Sequence, residues 1–204
     1  SSIYAFGITI TVLCVAIPAA YCISRFRFTG RKAYLFMILW TQMLPQVIIV
    51  LPLFVLIRSI GIADTYLSVI VTASALNLPF PIWLLKGYFD TISFELDEAA
   101  MIDGCTRLQA LIKIIIPTAR PGILTAAILT LTEGWALFLI PLVLVADDDK
   151  QPLTTVIYRM LAELQVRWDL VMAATMVGVA VSVILFSFIQ KYVVGGLMTG
   201  AIKE

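Results

Sequence analysis

The sequence predicts an all-α polytopic membrane protein with five transmembrane helices in this chain. Of its 204 residues, 61% are hydrophobic and only 13% are charged, whereas soluble domains carry about 25% charged residues. Five apolar runs approach the roughly 20 residues that cross a hydrocarbon core as a helix. They cover residues 3–24, 33–57, 67–85, 122–146 and 170–190.

The same composition excludes several classes of protein. A net charge of +1 without a basic stripe argues against a nucleic-acid partner. The absence of histidine and the three scattered cysteines leave no pattern for a metal site. The phosphate loop of ATPases is missing, because Gly30-Arg31-Lys32 lacks the upstream glycine and the following hydroxyl. We therefore expect a non-catalytic chain.

The basic residues predict the orientation of the helices. The connection RFRFTGRK at residues 25–32 carries four positive charges and no acid, which is typical of a cytoplasmic loop. Alternation then places residues 58–66 and 147–169 outside, and residues 86–121 and the C-terminal tail inside. Ten of the fourteen Lys and Arg residues lie on the inner side in this arrangement. The chain begins with Ser-Ser and lacks a signal-peptide pattern, so we expect the N-terminus to be cropped, with further membrane segments before Ser1.

Prolines are expected to bend three of the runs, because each removes a helical hydrogen bond. They are Pro45 and Pro52 in the second run, Pro79 and Pro81 in the third, and Pro141 in the fourth.

Four polar residues lie at membrane depth, where they are costly against lipid. They are Gln42, Gln46, Asn77 and Glu133. Two interpretations stay open for the amides: hydrogen bonds between packed helices, or the lining of a water-filled path. Bent helices and inward polar groups together favour transport over simple anchoring.

The acidic outer loop, residues 147–169, predicts a short helix near residues 155–165 that serves as a docking surface or as a lid.

The longest mixed polar and apolar stretch is residues 93–117, called here the signature segment. Ser93 predicts an N-cap, and the acids Glu95, Asp97 and Glu98 suit the first turns of a helix. Gly104 suits a left-handed helix end. The result is one short helix that stops at a tight glycine corner.

A second short helix is predicted after this corner. Thr106 followed by Gln109 forms a capping-box pattern. Leu108, Leu111, Ile112 and Ile115 form an apolar stripe at helical spacing. The small side chains of Ala99 and Ala100 favour close approach by a partner, although an ordinary surface connection fits equally well.

The signature segment resembles the EAA signature of ABC importer permeases. Glu98-Ala99-Ala100 is followed, after three intervening residues, by Gly104 and then, after nine more intervening residues, by Ile114-Ile115-Ile116-Pro117. The segments AAYCISRFRFTGRK, TQMLPQ, GIADTYLSVIV, LPFPIWLLKGYF and KYVVGGLMTGAIKE are similar to the carbohydrate-type members, such as the second permease subunit of maltose transporters. Ile116 stands where the family usually has Leu. Around Trp135 the family usually reads WNEF, and this chain has Ala136 and Leu137 in place of the polar pair.

The resemblance implies a single transmembrane domain over residues 1–204, with a cytoplasmic coupling loop at residues 88–117 and a cytoplasmic tail at residues 195–204. It also implies a sixth, N-terminal membrane helix that precedes Ser1 and is cropped here. It implies four protein partners: a homologous second permease subunit, two ATPase subunits that bind ATP and Mg, and an external solute-binding protein. It also implies a bacterial or archaeal cytoplasmic membrane. The coupling residues would be Glu98, Ala99, Ala100, Asp103, Gly104, Ile114 and Pro117. The candidates to line a path come from the residues themselves and not from the resemblance: the polar residues Gln42, Gln46, Asn77 and Glu133, and Trp135 beside Glu133. The tail residues Gly196, Gly200 and Lys203 either contact the ATPase subunits or belong to a disordered end.

Three functions follow as hypotheses. The first is a permease subunit of an ATP-driven importer for a sugar or sugar derivative, working by alternating access. The second is an ion-coupled secondary transporter with Glu133 as its ion site, against which the lack of an inverted repeat argues. The third is a membrane scaffold that does not transport.

Overall fold

A computed structural model describes the backbone of residues 1–201 and the side chains of residues 1–187. This part of the chain is helical and contains no strand. Its α-helices are α1 (Ser2–Arg25), α2 (Arg31–Thr41), α3 (Gln46–Ile60), α4 (Tyr66–Asn77), α5 (Pro79–Asp90), α6 (Glu95–Ile102), α7 (Arg107–Ala110), α8 (Ile116–Thr118), α9 (Arg120–Trp135), α10 (Leu139–Leu144), α11 (Leu153–Leu161) and α12 (Trp168–Ala201). A π-helical turn, Leu111–Ile115, joins α7 to α8, and a 3₁₀ turn, Asp148–Lys150, precedes α11.

Helix α1 lies at the centre of the bundle and packs against α4, α5 and α9. Its buried side chains recur every four residues, so they line one face: Tyr4, Ile8, Val12, Ala16 and Ala20. The facing stripe of α9 is made of small residues at the same spacing, namely Gly122, Ala126, Thr130 and Gly134. Small side chains allow two helices in a membrane to approach closely.

Two helices are long and apolar enough to cross a membrane unbroken, namely α1 and the first part of α12, Trp168–Ser187. Three further pairs qualify only together, because each is sharply bent at a short break. The angles are 92° between α2 and α3, 50° between α4 and α5, and 81° between Arg107–Thr118 and α9. The described residues therefore provide two spans, or up to five if each bent pair is one span.

The second predicted run, residues 33–57, is not one helix. It breaks at residues 42–45, and Pro45 occupies the N-cap position of α3. The interruption predicted at Pro45 is therefore confirmed, while Pro52 lies inside α3, which continues past it. The third run breaks before Pro79, which is the first residue of α5.

The bend predicted at Pro141 is wrong. The fourth run breaks at residues 136–138, between α9 and α10, and Pro141 is the third residue of α10. The first four N–H groups of a helix have no intrahelical partner, so a proline there removes no hydrogen bond. The outer helix predicted near residues 155–165 lies slightly earlier, at α11.

Loops that the predicted topology places on the same side contact each other in the fold. At the end called here the inner end, Arg25 contacts Asp97. At the opposite, outer end, the Asp64 carboxylate accepts hydrogen bonds from the backbone N–H groups of Ala146 and Asp147, at 3.0 and 3.1 Å. The bundle thus has two distinct polar ends.

Candidate functional site: the inner loop and the polar breaks

The signature segment folds as two short helices around a glycine corner. Helix α6 ends before Gly104, whose φ of +84° is in the left-handed region that glycine adopts without strain. Helix α7 begins with a complete capping box: Thr106 Oγ1 accepts from the Gln109 N–H at 3.3 Å, and Gln109 Oε1 accepts from the Thr106 N–H at 2.8 Å. The predicted corner and capping box are confirmed.

Two local expectations for the segment need correction. Ser93 is not the N-cap of α6, because Phe94 occupies that position and the cap has no side-chain hydrogen bond. Ser93 Oγ instead accepts from the Glu95 N–H at 3.3 Å. The alanines also differ in exposure. Ala100 is buried within the chain, whereas Ala99 is exposed, so only one of the pair is open to a partner.

The apolar stripe of the second helix is split between core and surface. Leu111 and Ile115 are buried, whereas Leu108 and Ile112 are 64% and 55% exposed. The π-helical turn that precedes Pro117 widens the helix where the proline has no N–H to donate. Helix α8 then carries the chain to Thr118.

The open face of the signature segment is both acidic and apolar. Ile102 is 86% exposed, the most of any large apolar residue in the segment. The same face carries several of the residues predicted for coupling, since Glu98, Ala99, Asp103 and Gly104 are exposed. Ile114 and Pro117, also predicted for coupling, are half-buried.

The buried side of the segment holds an ion pair that the sequence analysis did not find. Arg25 Nε lies 2.8 Å from Asp97 Oδ2, and the two side chains are only 3% and 6% exposed. The Nε–H bond is not aimed at that oxygen, so the contact is an ion pair without a hydrogen bond. The Tyr21 hydroxyl donates to Asp97 Oδ1 at 2.6 Å. Tyr21, Arg25 and Asp97 are called here the inner cluster.

Further contacts hold Arg25 and the neighbouring chain in place. Its Nη2 donates to the Ile92 carbonyl at 3.1 Å, and its guanidinium lies 5.2 Å from the centre of the Phe94 ring. Asp97 was interpreted from sequence as a helix-dipole acid in the first turn of α6. Its burial depends on a residue 72 positions earlier in the chain, which helical periodicity within the segment could not indicate.

A second connection joins α1, α2 and α5 at the inner end. Asp90, the last residue of α5, accepts a hydrogen bond from Ser24 Oγ at 2.7 Å. It also forms ion pairs with Lys86 and Arg31. Residues 91–94 connect α5 to α6. The inner end of α1 therefore contacts both Asp90, before this connection, and Asp97, after it.

The breaks in two of the bent spans are joined by a polar contact. Gln42 follows α2, and its Nε2 donates to the Leu76 carbonyl near the end of α4 at 2.9 Å. The last carbonyls of a helix lack intrahelical partners, so the amide satisfies an otherwise free acceptor. Asn77, the last residue of α4, is half-buried, and Gln46, the first residue of α3, is exposed. For Gln42, the interhelical hydrogen bond is thus observed.

Glu133 and Trp135 have different surroundings at the end of α9. Glu133 is exposed and has no ion pair or hydrogen bond within the described part of the chain. Trp135 packs against α12, and its Nε1 donates to the Gly178 carbonyl at 3.3 Å. It lines a small apolar cleft of about 190 Å³ between α9, α11 and α12. Among the described residues, no hydrogen bond or ion pair joins Glu133 or Trp135 to Gln42 or Gln46.

The outer end is organised around Asp64, Asp147 and Lys150, called here the outer cluster. Asp64 has a φ of +60°, and the Lys150 ammonium donates to its carbonyl at 3.0 Å. Lys150 also pairs with Asp147 at 2.8 Å. This hydrogen-bonded contact lowers the pKa of Asp147 and raises the pKa of Lys150. The cluster connects the α3–α4 loop to the segment before α11.

The predicted tail contacts at Gly196, Gly200 and Lys203 lie outside the residues whose side chains the structure describes. Within the described residues, no group of three or more His, Cys, Asp or Glu is arranged to hold a metal ion.

Broken membrane helices with polar groups at the break are typical of transporters. Comparison with known protein families supports this class. The chain belongs to the family of inner membrane components of binding-protein-dependent transport systems, whose family model matches residues 12–198.

Three similar proteins carry more detailed names. The chain is 34% identical over 185 residues to the probable ABC transporter permease protein YurM of Bacillus subtilis, covering 91% of this chain and 62% of that protein. It is 32% identical over 195 residues to the sulfoquinovosyl glycerol transport system permease protein SmoH of Agrobacterium fabrum, covering 96% and 68%. It is 33% identical over 205 residues to the trehalose/maltose transport system permease protein MalG of Thermococcus litoralis, covering 100% and 73%. This chain therefore spans less than two thirds of the first of these relatives.

A solved structure shares the fold. It is the crystal structure of a bacterial ABC transporter involved in the import of the acidic polysaccharide alginate. One of its chains aligns with a TM-score of 0.70 and 27% identity, covering 98% of this chain and 72% of that chain.

Proposed function

We propose that the chain is the transmembrane permease part of an ATP-driven, binding-protein-dependent importer for a sugar or sugar derivative. It moves solute by alternating access between inward- and outward-facing states. The chain itself does not hydrolyse ATP; two partner ATPase subunits bind ATP and Mg. A homologous second permease and an external solute-binding protein complete the complex, in a bacterial or archaeal cytoplasmic membrane with the C-terminus inside.

The observation that carries this proposal is the shape of the signature segment. Its open face combines the acidic side chain of Glu98 with exposed apolar groups around Ile102, on a helix whose end is fixed by Gly104. Exposed apolar groups rimmed by charge mark protein interaction surfaces. An ATPase subunit that receives this face would move it on closing, and the bent spans attached to it would follow.

Sugars as the substrate class rest on the relatives. SmoH is named for sulfoquinovosyl glycerol, MalG for trehalose and maltose, and the solved transporter imports alginate. A thermal-shift screen of the partner solute-binding protein against sugars, sugar phosphates and amino sugars tests this class. Stabilisation by amino acids or metal ions alone would reject it.

The proposed coupling is tested in a reconstituted complex of the full-length permeases with their ATPase subunits. Glu98→Lys reverses the charge of the open face and should abolish ATP-driven uptake and weaken ATPase association. Glu95→Lys is the matched control, since Glu95 is exposed on the same helix but is not among the residues predicted for coupling. Unchanged uptake and association in Glu98→Lys would show that this face does not receive the ATPase.

The ion-coupled alternative with Glu133 as its ion site is not favoured, because the family is that of binding-protein-dependent transport systems and both YurM and the solved structure are named as parts of ABC transporters. Uptake into vesicles that lack ATP but carry an ion gradient would favour the ion-coupled transporter.

A further inference from the structure

Helix α1 is held by polar contacts at both of its ends, and the two sets of contacts reach opposite loops. At the inner end, Asp97 of α6 binds Arg25 and Tyr21 in the inner cluster. Both charges are almost fully buried, so separating them would leave each unpaired in a low-dielectric site. The start of α6 and the end of α1 are therefore expected to move together.

At the outer end, α1 is tied to residues 147–153, called here the outer segment. Tyr4 is 1% exposed, and its hydroxyl donates to the Lys150 carbonyl at 2.8 Å. Ser1 Oγ accepts from the Leu153 N–H at 2.9 Å. The Tyr4 ring lies 5.5 Å from the ring of Tyr66, at the start of α4. The outer segment leads directly into α11.

Between these ends α1 is one helix of 24 residues that continues through Pro18. At 1.5 Å per residue it spans about 36 Å, enough to cross the hydrocarbon core. Ile8, Val12 and Ala16 are fully buried against the surrounding helices. A tightly packed helix transmits displacement because close-packed interiors have low compressibility.

We propose that α1 is the mechanical link between the two sides of the transporter, and that Arg25 is a positioning residue for this link. Movement of the signature segment is passed through Asp97 and Arg25 to α1, and by α1 to the outer segment. The inference rests on the proposed function, because it assigns the route by which ATPase closure inside and the binding protein outside influence each other. The spans that flank the signature segment in sequence, α5 and α9, would then follow α1.

The test uses the reconstituted full-length complex and three readouts. These are the amount of ATPase that co-purifies, ATP hydrolysis with and without the substrate-loaded binding protein, and solute transported per ATP hydrolysed. Asp97→Asn keeps the shape of the side chain and removes its charge. It should leave ATPase association unchanged and lower both the stimulation by binding protein and the transport per ATP by about fivefold or more. Arg27→Gln is the control. It also removes one charge, and Arg27 lies two residues after Arg25, the partner of Asp97, but is exposed and has no ion pair among the described residues.

Two milder variants keep the inference falsifiable if Asp97→Asn does not assemble. Tyr21→Phe removes one hydroxyl from the inner cluster and leaves the ion pair, and Tyr4→Phe removes the contact to the outer segment. Each should reduce stimulation by binding protein by about twofold to fivefold, with normal assembly. Tyr21→Phe is decisive for the inner end.

Stimulation and transport per ATP that match the control in assembled Asp97→Asn, or in Tyr21→Phe when Asp97→Asn does not assemble, would overturn the role of α1. This result is separable from failure of the proposed function. If Glu98→Lys disrupts coupling and the α1 variants do not, only the route through α1 is wrong. If Glu98→Lys also has no effect, the coupling face itself is wrong.

Discussion

The contact between α1 and α9 predicts a sharp difference between two glycine substitutions. A Cβ added at Gly134 would lie 2.8 Å from the Cα of Ala5, whereas carbon atoms prefer separations of at least about 3.5 Å. The two helix backbones would have to separate by about 0.7 Å, and overpacking of this kind typically costs about 1–3 kcal/mol. Gly87 on α5 is the matched control, because a Cβ there meets no atom within 4 Å.

Both substitutions exchange glycine for alanine within a helix, so the gain of up to about 1 kcal/mol from helix propensity is common to them. Gly134→Ala should therefore be about 1–3 kcal/mol less stable than Gly87→Ala. For a chain of this length the difference corresponds to about 2–4 °C in Tm for each kcal/mol. Thermal unfolding of the purified protein in detergent measures it. If Gly134→Ala unfolds at the same temperature as Gly87→Ala, or higher, the close approach of α1 and α9 is wrong.

Three further predictions concern the two polar ends. Gly104→Asn should be tolerated, because asparagine adopts left-handed backbone more readily, while Gly104→Val should cost about 1–2 kcal/mol and speed hydrogen exchange in the following turn; equal exchange in both variants would contradict the glycine corner. Thr106→Ala removes half of the capping box and should destabilise the start of α7 by about 1 kcal/mol, and unchanged exchange of its first amides would count against it. The pKa of Asp147 is lowered by its hydrogen bond to Lys150, so this contact stabilises the fold above the ordinary aspartate pKa and is lost as the pH falls through the lowered value. Asp147→Asn should therefore show a smaller fall in Tm below about pH 4 than the wild type does. A fall in Tm as large as that of the wild type would refute the stabilising role of this contact.

Local signals in the sequence predicted the signature segment well because its turns are set by neighbouring residues. The left-handed corner at Gly104 and the reciprocal cap between Thr106 and Gln109 depend on residues no more than three apart. Hydrophobic run lengths likewise predicted α1, whose ends at Ser2 and Arg25 lie within one residue of the expected bounds.

Features that depend on distant residues were not predictable in this way. Asp97 carries the residue type expected for a first-turn acid, and only the fold shows that Arg25 covers it. The break at residues 136–138 contains no proline or glycine, so no residue in it marked the helix end. Pro141 was a misleading signal, since a proline in the first turn of a helix is compatible with that helix.

Helices α2 and α3 have far fewer buried residues than α1. No residue of α2 is buried, and in α3 only Val50 and Ile57 are. The described part of this chain leaves most of their side chains uncovered, so we expect lipid or another protein to cover them. If the proposed second permease covers them, co-expression with it and retention of native lipid should preserve their arrangement through purification. In harsh detergent these two helices are expected to lose their arrangement first, while the α1–α9 core stays folded.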